Sequence, residues 1–219
     1  MIVEMNKNTL PTASYQKWLD EKINEIKNKQ HTPELLLHSC CAPCSSYVIE
    51  YLSPFFSITV FFYNPNIHPE EEYKKRLTEQ ISFIGKLPIK NRVKFKEGPY
   101  EPELFFQKVK GLEQEKEGGR RCLKCFELRM EKTAQIASQL GFTYFTTTLT
   151  VSPHKESSSI NQMGGTIAPA YGIEYLFSDF KKRAGFQRSI ELSHQYQLYR
   201  QDYCGCIFSR QQEKIMDRK

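Results

Sequence analysis

The sequence predicts an α/β fold, a doubly wound and mostly parallel sheet of the nucleotide-binding type, with a metal site at the carboxyl ends of its strands. Three observations carry this. Short apolar runs rich in β-branched and aromatic residues recur along the chain and have the continuous character of strands buried on both faces. Segments with helical apolar spacing separate them, the alternation that builds parallel sheets. The 219 residues are 39% apolar and 26% charged, and a chain of this length buries a core without disulfide staples.

Ahead of the alternation, Tyr15, Trp18, Leu19, Ile23 and Ile26 recur at helical spacing among Lys, Glu and Asn until Thr32-Pro33 ends the pattern. Residues 1–33 are read as an N-terminal helical extension and 34–219 as a single α/β catalytic domain, with no linker and no internal repeat. Trp18 is expected to pack the extension onto the body; stacking on RNA is the other use of such a ring. Leu35-Leu36-Leu37 reads as the first strand and Ser57 to Tyr63 (SITVFFY) as the second, while Arg92 to Lys96 (RVKFK) alternates like a strand nearer an edge. After His68, Pro69 fits a first helical turn and Glu70, Glu71 and Glu72 complement the macrodipole. Tyr73, Leu77, Ile81 and Ile84 then form one stripe, whose expected role is packing alone. A helix from about Cys122 to Leu140 should turn Phe126, Met130, Thr133, Ala134, Ala137 and Leu140 inward, with Gly141 closing it. Phe142 to Thr147 reads as a strand, Ser157 to Tyr171 as a helix, Glu174 to Phe177 as a short strand and Ser189 to Tyr196 as a polar helix.

Lys plus Arg less Asp plus Glu (31 − 25) leaves a charge of +6, which favours an anionic partner without demanding one. No apolar run approaches the ~20 residues that span a bilayer, and Met1 to Lys29 is too polar and acidic for a secretory signal. A cytoplasmic protein with no membrane partner is expected. Thiols stay reduced there, so an odd number of cysteines, seven, is poorly explained by structural disulfides.

The cysteines fall into three groups: Cys40-Cys41-Ala42-Pro43-Cys44, Cys122-Leu123-Lys124-Cys125 and Cys204-Gly205-Cys206. Thiols grouped in this way are metal ligands or redox partners, whereas packing cysteines usually stand alone. The first group follows the strand ending at Leu37 and so falls in the loop where α/β folds hold ligands. The second opens a helix, where i, i+3 spacing puts both sulfurs on one face. There the helix dipole, with Arg120 and Arg121, is expected to lower the thiol pKa. Cys41-x-x-Cys44 with Cys122-x-x-Cys125 would satisfy one tetrahedral zinc. That leaves Cys40 and the third group unused, whereas an iron–sulfur cluster reached from several segments uses more of them. In the third group one Gly lets both sulfurs face one site or each other. A redox dithiol and two further metal ligands are both open readings.

Five motifs in chain order carry a resemblance: His38-Ser39-Cys40-Cys41-Ala42-Pro43-Cys44; Tyr63-Asn64-Pro65-Asn66-Ile67-His68-Pro69; Arg121-Cys122-Leu123-Lys124-Cys125-Phe126; Thr147-Thr148-Leu149 with Ser152-Pro153; and Tyr199-Arg200-Gln201-Asp202-Tyr203-Cys204-Gly205-Cys206. From about Leu35 to Ser209 the chain resembles the QueH-type epoxyqueuosine reductases. The resemblance implies an oxidoreductase that removes the epoxide oxygen of epoxyqueuosine at the wobble position of a tRNA anticodon. Queuosine and water are the products, in the last step of queuosine biosynthesis. It further implies Cys40, Cys41, Cys122 and Cys125 as ligands of a [4Fe-4S] cluster, Cys204 with Cys206 as a redox-active pair, and Cys44 as a ligand of an additional mononuclear iron. His38, Tyr63, Asn64, Tyr199, Arg200 and Tyr203 flank the cysteines within these motifs and are the substrate-binding candidates. The partners are then the tRNA anticodon loop and an electron donor that the sequence does not identify. The extension before Leu35 lies outside the pattern.

The residue types suit such chemistry on their own terms. Taking an epoxide to an alkene needs two electrons, two protons and polarisation of the oxygen, which an iron beside an electron source provides. His38, Tyr63, Tyr199 and Tyr203 are candidate general acids or orienting groups, each also readable as structural. For RNA, Lys181-Lys182-Arg183 beside Phe180 and Phe186, and Arg120-Arg121, offer cations and rings, with a solvated face as the plain alternative. Two rival functions predict different sequences or behaviour. An ATP-dependent tRNA-thiolating or adenylating enzyme would carry a glycine-rich phosphate loop, but Cys40 to Ser46 contains no glycine. A zinc-stabilised α/β module that binds RNA without redox activity would use Cys204 and Cys206 as structural ligands.

Overall fold

The computed structural model of the chain describes residues 10–11, 14–28, 31–88 and 93–210. Its strands are β1 (Glu34–His38), β2 (Ser57–Phe62), β3 (Lys94–Glu97), β4 (Tyr144–Thr147) and β5 (Glu174–Tyr175). They form one five-stranded parallel sheet in the order β3-β2-β1-β4-β5, the doubly wound arrangement expected. Leu35 pairs with Ile58 on one side and Tyr144 on the other, and His38 lies between Phe61 and Thr147. Leu35, Leu36, Leu37, Val60 and Phe61 are all fully buried. Central strands covered on both faces must be apolar throughout, which is why these runs do not alternate. β3 is the edge strand, as its alternation indicates; Arg92, the first residue of that run, lies outside the described residues.

The helices are α1 (Tyr15–Lys27), α2 (Ala42–Leu52), α3 (Glu70–Lys86), α4 (Pro102–Lys108), α5 (Arg120–Gln139), α6 (Ser157–Ile167) and α7 (Gly185–Gln195). Leu35, Leu37, Ile58 and Val60 share one buried cluster with Leu19, Ile23 and Ile26 of α1, Val48, Ile49 and Leu52 of α2, and Phe83 of α3. Leu36 and Phe61 point the other way, to Met130, Ala134 and Ala137 of α5 and Ile160 of α6. Ser14 caps α1 by accepting from the Lys17 amide, and Trp18 meets Phe177 edge to face with ring centroids 5.0 Å apart. The ring is thus used in packing.

Several faces differ from the apolar spacing. α3 buries Tyr73, Arg76, Gln80 and Phe83, while Ile81 is 47% exposed. The helix is rotated so that Arg76 and Gln80, which periodicity counts as surface, reach inward, and its role is therefore more than packing. Leu140 is not inward either; it is the C-cap of α5 and 53% exposed. Gly141, at φ +72°, takes the left-handed conformation that closes that helix. α4 has no counterpart in the sequence reading, and α7 begins at Gly185 rather than Ser189.

This topology fixes where a ligand would sit. From β1 the chain winds outward to β2 and β3, then crosses back to place β4 and β5 on the other side of β1. The order reverses between β1 and β4, and in open α/β sheets the crevice beyond the carboxyl ends at that point is the binding site. The loop after β1 is Ser39-Cys40-Cys41, and β4 runs into Thr148.

Candidate metal and thiol site

At the end of β1 the chain turns through Ser39 and Cys40 and enters α2 with Cys41 as its N-cap and Pro43 in the first turn. This compact entry brings the Cys40, Cys41 and Cys44 sulfurs within 4.8 Å of one another, with Cys40 Sγ 3.8 Å from Cys41 Sγ. Thr148, arriving from β4, accepts from the Cys40 amide (3.3 Å) and donates to the Cys40 sulfur (3.5 Å). Gln80 of α3 holds the turn from the other side, its Oε1 accepting from the hydroxyls of Ser39 (2.7 Å) and Ser45 (3.0 Å). Three thiols so close, on one short stretch, are a group that can hold a metal.

The second group sits in the first turns of α5, whose N-cap is Gly119. The Gly118 amide donates to Cys122 Sγ at 3.2 Å. The expected lowering of these thiols does not occur. Burial raises Cys122 and pushes Cys125 up to about 11, because removing a thiolate from water outweighs the partial charge of a helix end. Arg121 contributes little against that burial: it is buried and donates to the backbone carbonyls of Glu113 and Glu115. Arg120 pairs with Glu115 at 2.8 Å on the surface. Arg120 is thus taken up by Glu115, whereas the Arg121 guanidinium, its Nε and Nη2 without a hydrogen-bond partner among the described residues, stays near the thiols and is outweighed by their burial.

Cys206 packs in one apolar cluster with Cys125, Phe105 and Val109, and Cys204 borders it. The second and third groups therefore meet, although they are distant in sequence. The segment carrying Cys204 and Cys206 is docked on the Asn66-Ile67-His68 loop: the His68 amide donates to the Gly205 carbonyl (2.9 Å), Asn66 Nδ2 to the Cys204 carbonyl (3.5 Å) and Tyr203 Oη to the His68 carbonyl (3.2 Å). Gly205 has φ +98°, and a Cβ there would stand 2.8 Å from Ile67 Cγ1. A glycine is needed for both reasons. The Cys206 thiol hydrogen-bonds Cys204 and, against burial, brings it down to about 6, while Cys206 itself is raised by the same bond.

All three groups open on one cavity of about 650 Å³, lined by Cys40, Cys44, Cys122, Cys125, Cys204 and Cys206. Cys41 lies just behind the wall. Of the flanking candidates, Arg200 and Tyr203 line the cavity, and His38, Tyr63, Asn64 and Tyr199 do not. Tyr63 is buried, its hydroxyl donating to Glu101 (2.9 Å), and Tyr199 lies under Lys75, 3.3 Å from its ring centre. His38 is fully buried; burial, then the charge of Arg129, hold its imidazole down to about 3. It cannot serve as an imidazolium acid at neutral pH. Phe180 is buried, and Lys181 and Arg183 pair with Asp179 and Asp20, whereas Phe186 lines the cavity with the Arg200 guanidinium 5.8 Å over its ring.

The site also contains residues that no motif announced. Arg76, Arg129 and Lys155 line the cavity with the thiols. Arg76 pairs with Glu72 at 2.6 Å, but Arg129, 3% exposed, meets no carboxylate among the described residues. An unanswered buried cation is costly, and the groups near it that can carry negative charge are thiols. That suits a site whose thiols are held as thiolates by metal. Arg129 sits mid-helix among charged neighbours and so reads in sequence as surface; its only signal is its place one turn beyond Cys125.

Comparison with known proteins covers all three cysteine groups and, for some relatives, part of the chain before Leu35 as well. The family model described as epoxyqueuosine reductase QueH matches residues 35–212. A Streptococcus pyogenes protein named epoxyqueuosine reductase QueH is 43% identical over 212 residues, 96% of this chain and 83% of that protein. Proteins of the same name from Staphylococcus aureus and Thermotoga maritima are similar as well. The first is 43% identical over 206 residues, 92% of this chain and 86% of its own. The second is 36% identical over 181 residues, 80% of this chain and 89% of its own.

Proposed function

The chain belongs to the epoxyqueuosine reductase QueH family, and on that premise we propose that it reduces epoxyqueuosine at the wobble position of tRNA to queuosine, in the cytoplasm, as the last step of queuosine biosynthesis. The observation that carries this reading is the convergence of three cysteine groups on one cavity at the switch point of the sheet. Thiols gathered from β1, α5 and the chain beyond α7 suit electron delivery into an enclosed space.

In this reading Cys40, Cys41, Cys122 and Cys125 hold a [4Fe-4S] cluster and Cys44, within 4.8 Å of Cys40 and Cys41, supplies a mononuclear iron. When bound, such groups pass electrons singly and polarise oxygen as Lewis acids. The remaining work falls to the chain's own residues. Removing the epoxide oxygen as water consumes two electrons and two protons and leaves an alkene. Cys204 and Cys206, oxidised from two thiols to a disulfide, release two of each, and an external electron donor then restores them. Cys204 is the partly exposed, lowered thiol and Cys206 the buried one, and both line the cavity. Arg200 and Phe186 at the cavity wall offer a guanidinium and a ring to an unstacked anticodon base, the combination by which proteins hold single-stranded RNA. About 650 Å³ is ample for one extruded base.

Anaerobic purification with iron, sulfide and zinc counted on the same sample tests the cofactor. Brown protein with about four irons and four acid-labile sulfides per chain, beyond any mononuclear iron, is the expected result. Colourless protein with one stoichiometric zinc after reconstitution would favour the structural-metal module instead.

A further inference from the structure

Arg129 joins three of the motifs at once. Its Nε donates to His38 Nε2 at the end of β1 (3.3 Å), its Nη2 to Asn64 Oδ1 just beyond β2 (2.7 Å), and its Nη1 to Cys125 Sγ on its own helix (3.8 Å). Neither of the first two partners is an anion. Asn64 is locked by donating to the Ser39 carbonyl (2.9 Å), and His38 by its Nδ1 against Thr147 Oγ1 (2.8 Å). His38 Nε2 also lies 3.2 Å from the Tyr63 carbonyl, so the ring is held between Thr147, Tyr63 and Arg129. His38 and Asn64 thus aim the guanidinium without cancelling its charge.

We propose that Arg129 is a positioning residue for the electron-carrying site: a fixed buried cation, aimed at Cys125 by His38 and Asn64, that makes the cluster easier to reduce. This rests on the cofactor reading above. Adding an electron makes a thiolate-bound cluster more negative, so a cation at hydrogen-bond distance from a ligand sulfur stabilises the reduced form more than the oxidised one. Hydrogen bonds to the sulfurs, burial and net charge are the levers by which a protein sets such a potential. An exposed lysine would be screened by solvent, whereas a buried guanidinium is neither screened nor deprotonated. It also gives a role to His38 and Asn64, which stand in two of the motifs while lying outside the cavity.

The test is an anaerobic redox titration of the reconstituted wild-type protein, Arg129→Gln, Arg129→Lys and Asn64→Asp, with iron and sulfide counted in each. Arg129→Gln should lower the cluster's affinity for an electron at least tenfold, a shift of about 59 mV to more negative potential for a one-electron couple. Arg129→Lys, which keeps the charge, should shift it less. Asn64→Asp sets a carboxylate where Asn64 Oδ1 now accepts from Arg129 at 2.7 Å, and should move the potential the same way with the guanidinium still in place. That variant supplies the answer if Arg129→Gln does not hold a cluster. A loaded Arg129→Gln protein at the wild-type potential overturns the proposal, as does an unshifted Asn64→Asp where Arg129→Gln fails to load. An Arg129→Lys shift as large as that of Arg129→Gln would also overturn it, since shape rather than charge would then be responsible. Wild-type protein that takes up no iron and sulfide defeats the cofactor reading itself, before any variant is compared.

Discussion

Arg76 donates from Nη2 to the carbonyl of Tyr203 across 3.3 Å, joining the middle of α3 to the residue just before the cysteine pair. The same guanidinium pairs with Glu72 at 2.6 Å and is 1% exposed. α3 therefore holds both ends of the site, through Gln80 at the Cys40 turn and through Arg76 at the Cys204 segment. Breaking a largely buried pair from one side leaves a charge stranded, at about 3–5 kcal/mol. Arg76→Met should lower the melting temperature by some 10 °C on the usual scaling for a chain of this size. The double variant with Glu72→Met should recover part of that loss. A double variant no more stable than the single one would show that the pair is not the source of the effect.

Replacement of Gly205 by alanine tests the docking of the redox segment separately from the thiols. The new Cβ would meet Ile67 Cγ1 at 2.8 Å and Arg76 Nη1 at 3.2 Å, in a backbone at φ +98°. The left-handed conformation alone costs a β-carbon about 1 kcal/mol. The expected result is at least a tenfold loss of turnover, from displaced sulfurs, with iron and sulfide content unchanged. Full activity in Gly205→Ala would mean that the Cys204–Cys206 geometry tolerates movement of its support.

The two thiols of that segment should differ in reactivity. The hydrogen bond from Cys206 brings Cys204 down to about 6 and leaves Cys206 raised. Thiolate is the reactive form, so brief iodoacetamide treatment at pH 7 should mark Cys204 at least about tenfold faster than Cys206. The Cys204 rate should fall about tenfold by pH 5. Peptide mass spectrometry reads both sites; equal labelling would contradict the assignment of Cys204 as the outward, nucleophilic partner.

The strands and the cysteine groups were legible because their signals are local: a buried parallel strand must be apolar residue by residue, and clustered thiols declare chemistry by spacing. What was not legible depends on burial. Apolar periodicity turned α3 toward Ile81, since it cannot see that Arg76 and Gln80 go inward when the site supplies them with partners. Arg129 was hidden for the same reason. The α5 thiols looked activated because the dipole is visible in sequence and desolvation is not. His38 and Asn64 are read in sequence as substrate-binding candidates, and the structure adds their hydrogen bonds to Arg129, which no motif announces.

His38 makes a signed prediction about pH. Its imidazole is held down to about 3 when folded, chiefly by burial, against about 6.5 in an unfolded chain. Between those values the unfolded chain binds more protons. This contribution to stability is therefore complete above about pH 6.5 and is lost as pH falls toward 3, at up to about 1.4 kcal/mol per pH unit. Anaerobic urea unfolding of wild type and His38→Gln from pH 5 to 7 should show a flatter slope in the variant, by close to one proton at about pH 5 and by about a quarter of a proton at pH 7. Parallel slopes would mean that His38 titrates normally and is more solvated than its position indicates.

A single-turnover experiment joins the site to its chemistry. Pre-reduced, cluster-loaded protein is freed of external reductant and mixed with tRNA carrying epoxyqueuosine, and the nucleosides and the tryptic map are then read together by mass spectrometry. The expected result is queuosine, with a matching amount of Cys204–Cys206 disulfide, and at least a hundredfold less product from Cys204→Ser carrying the same iron and sulfide. Unchanged epoxyqueuosine with fully loaded wild-type protein would contradict the reductase reading, and undiminished product from Cys204→Ser would remove the cysteine pair from it.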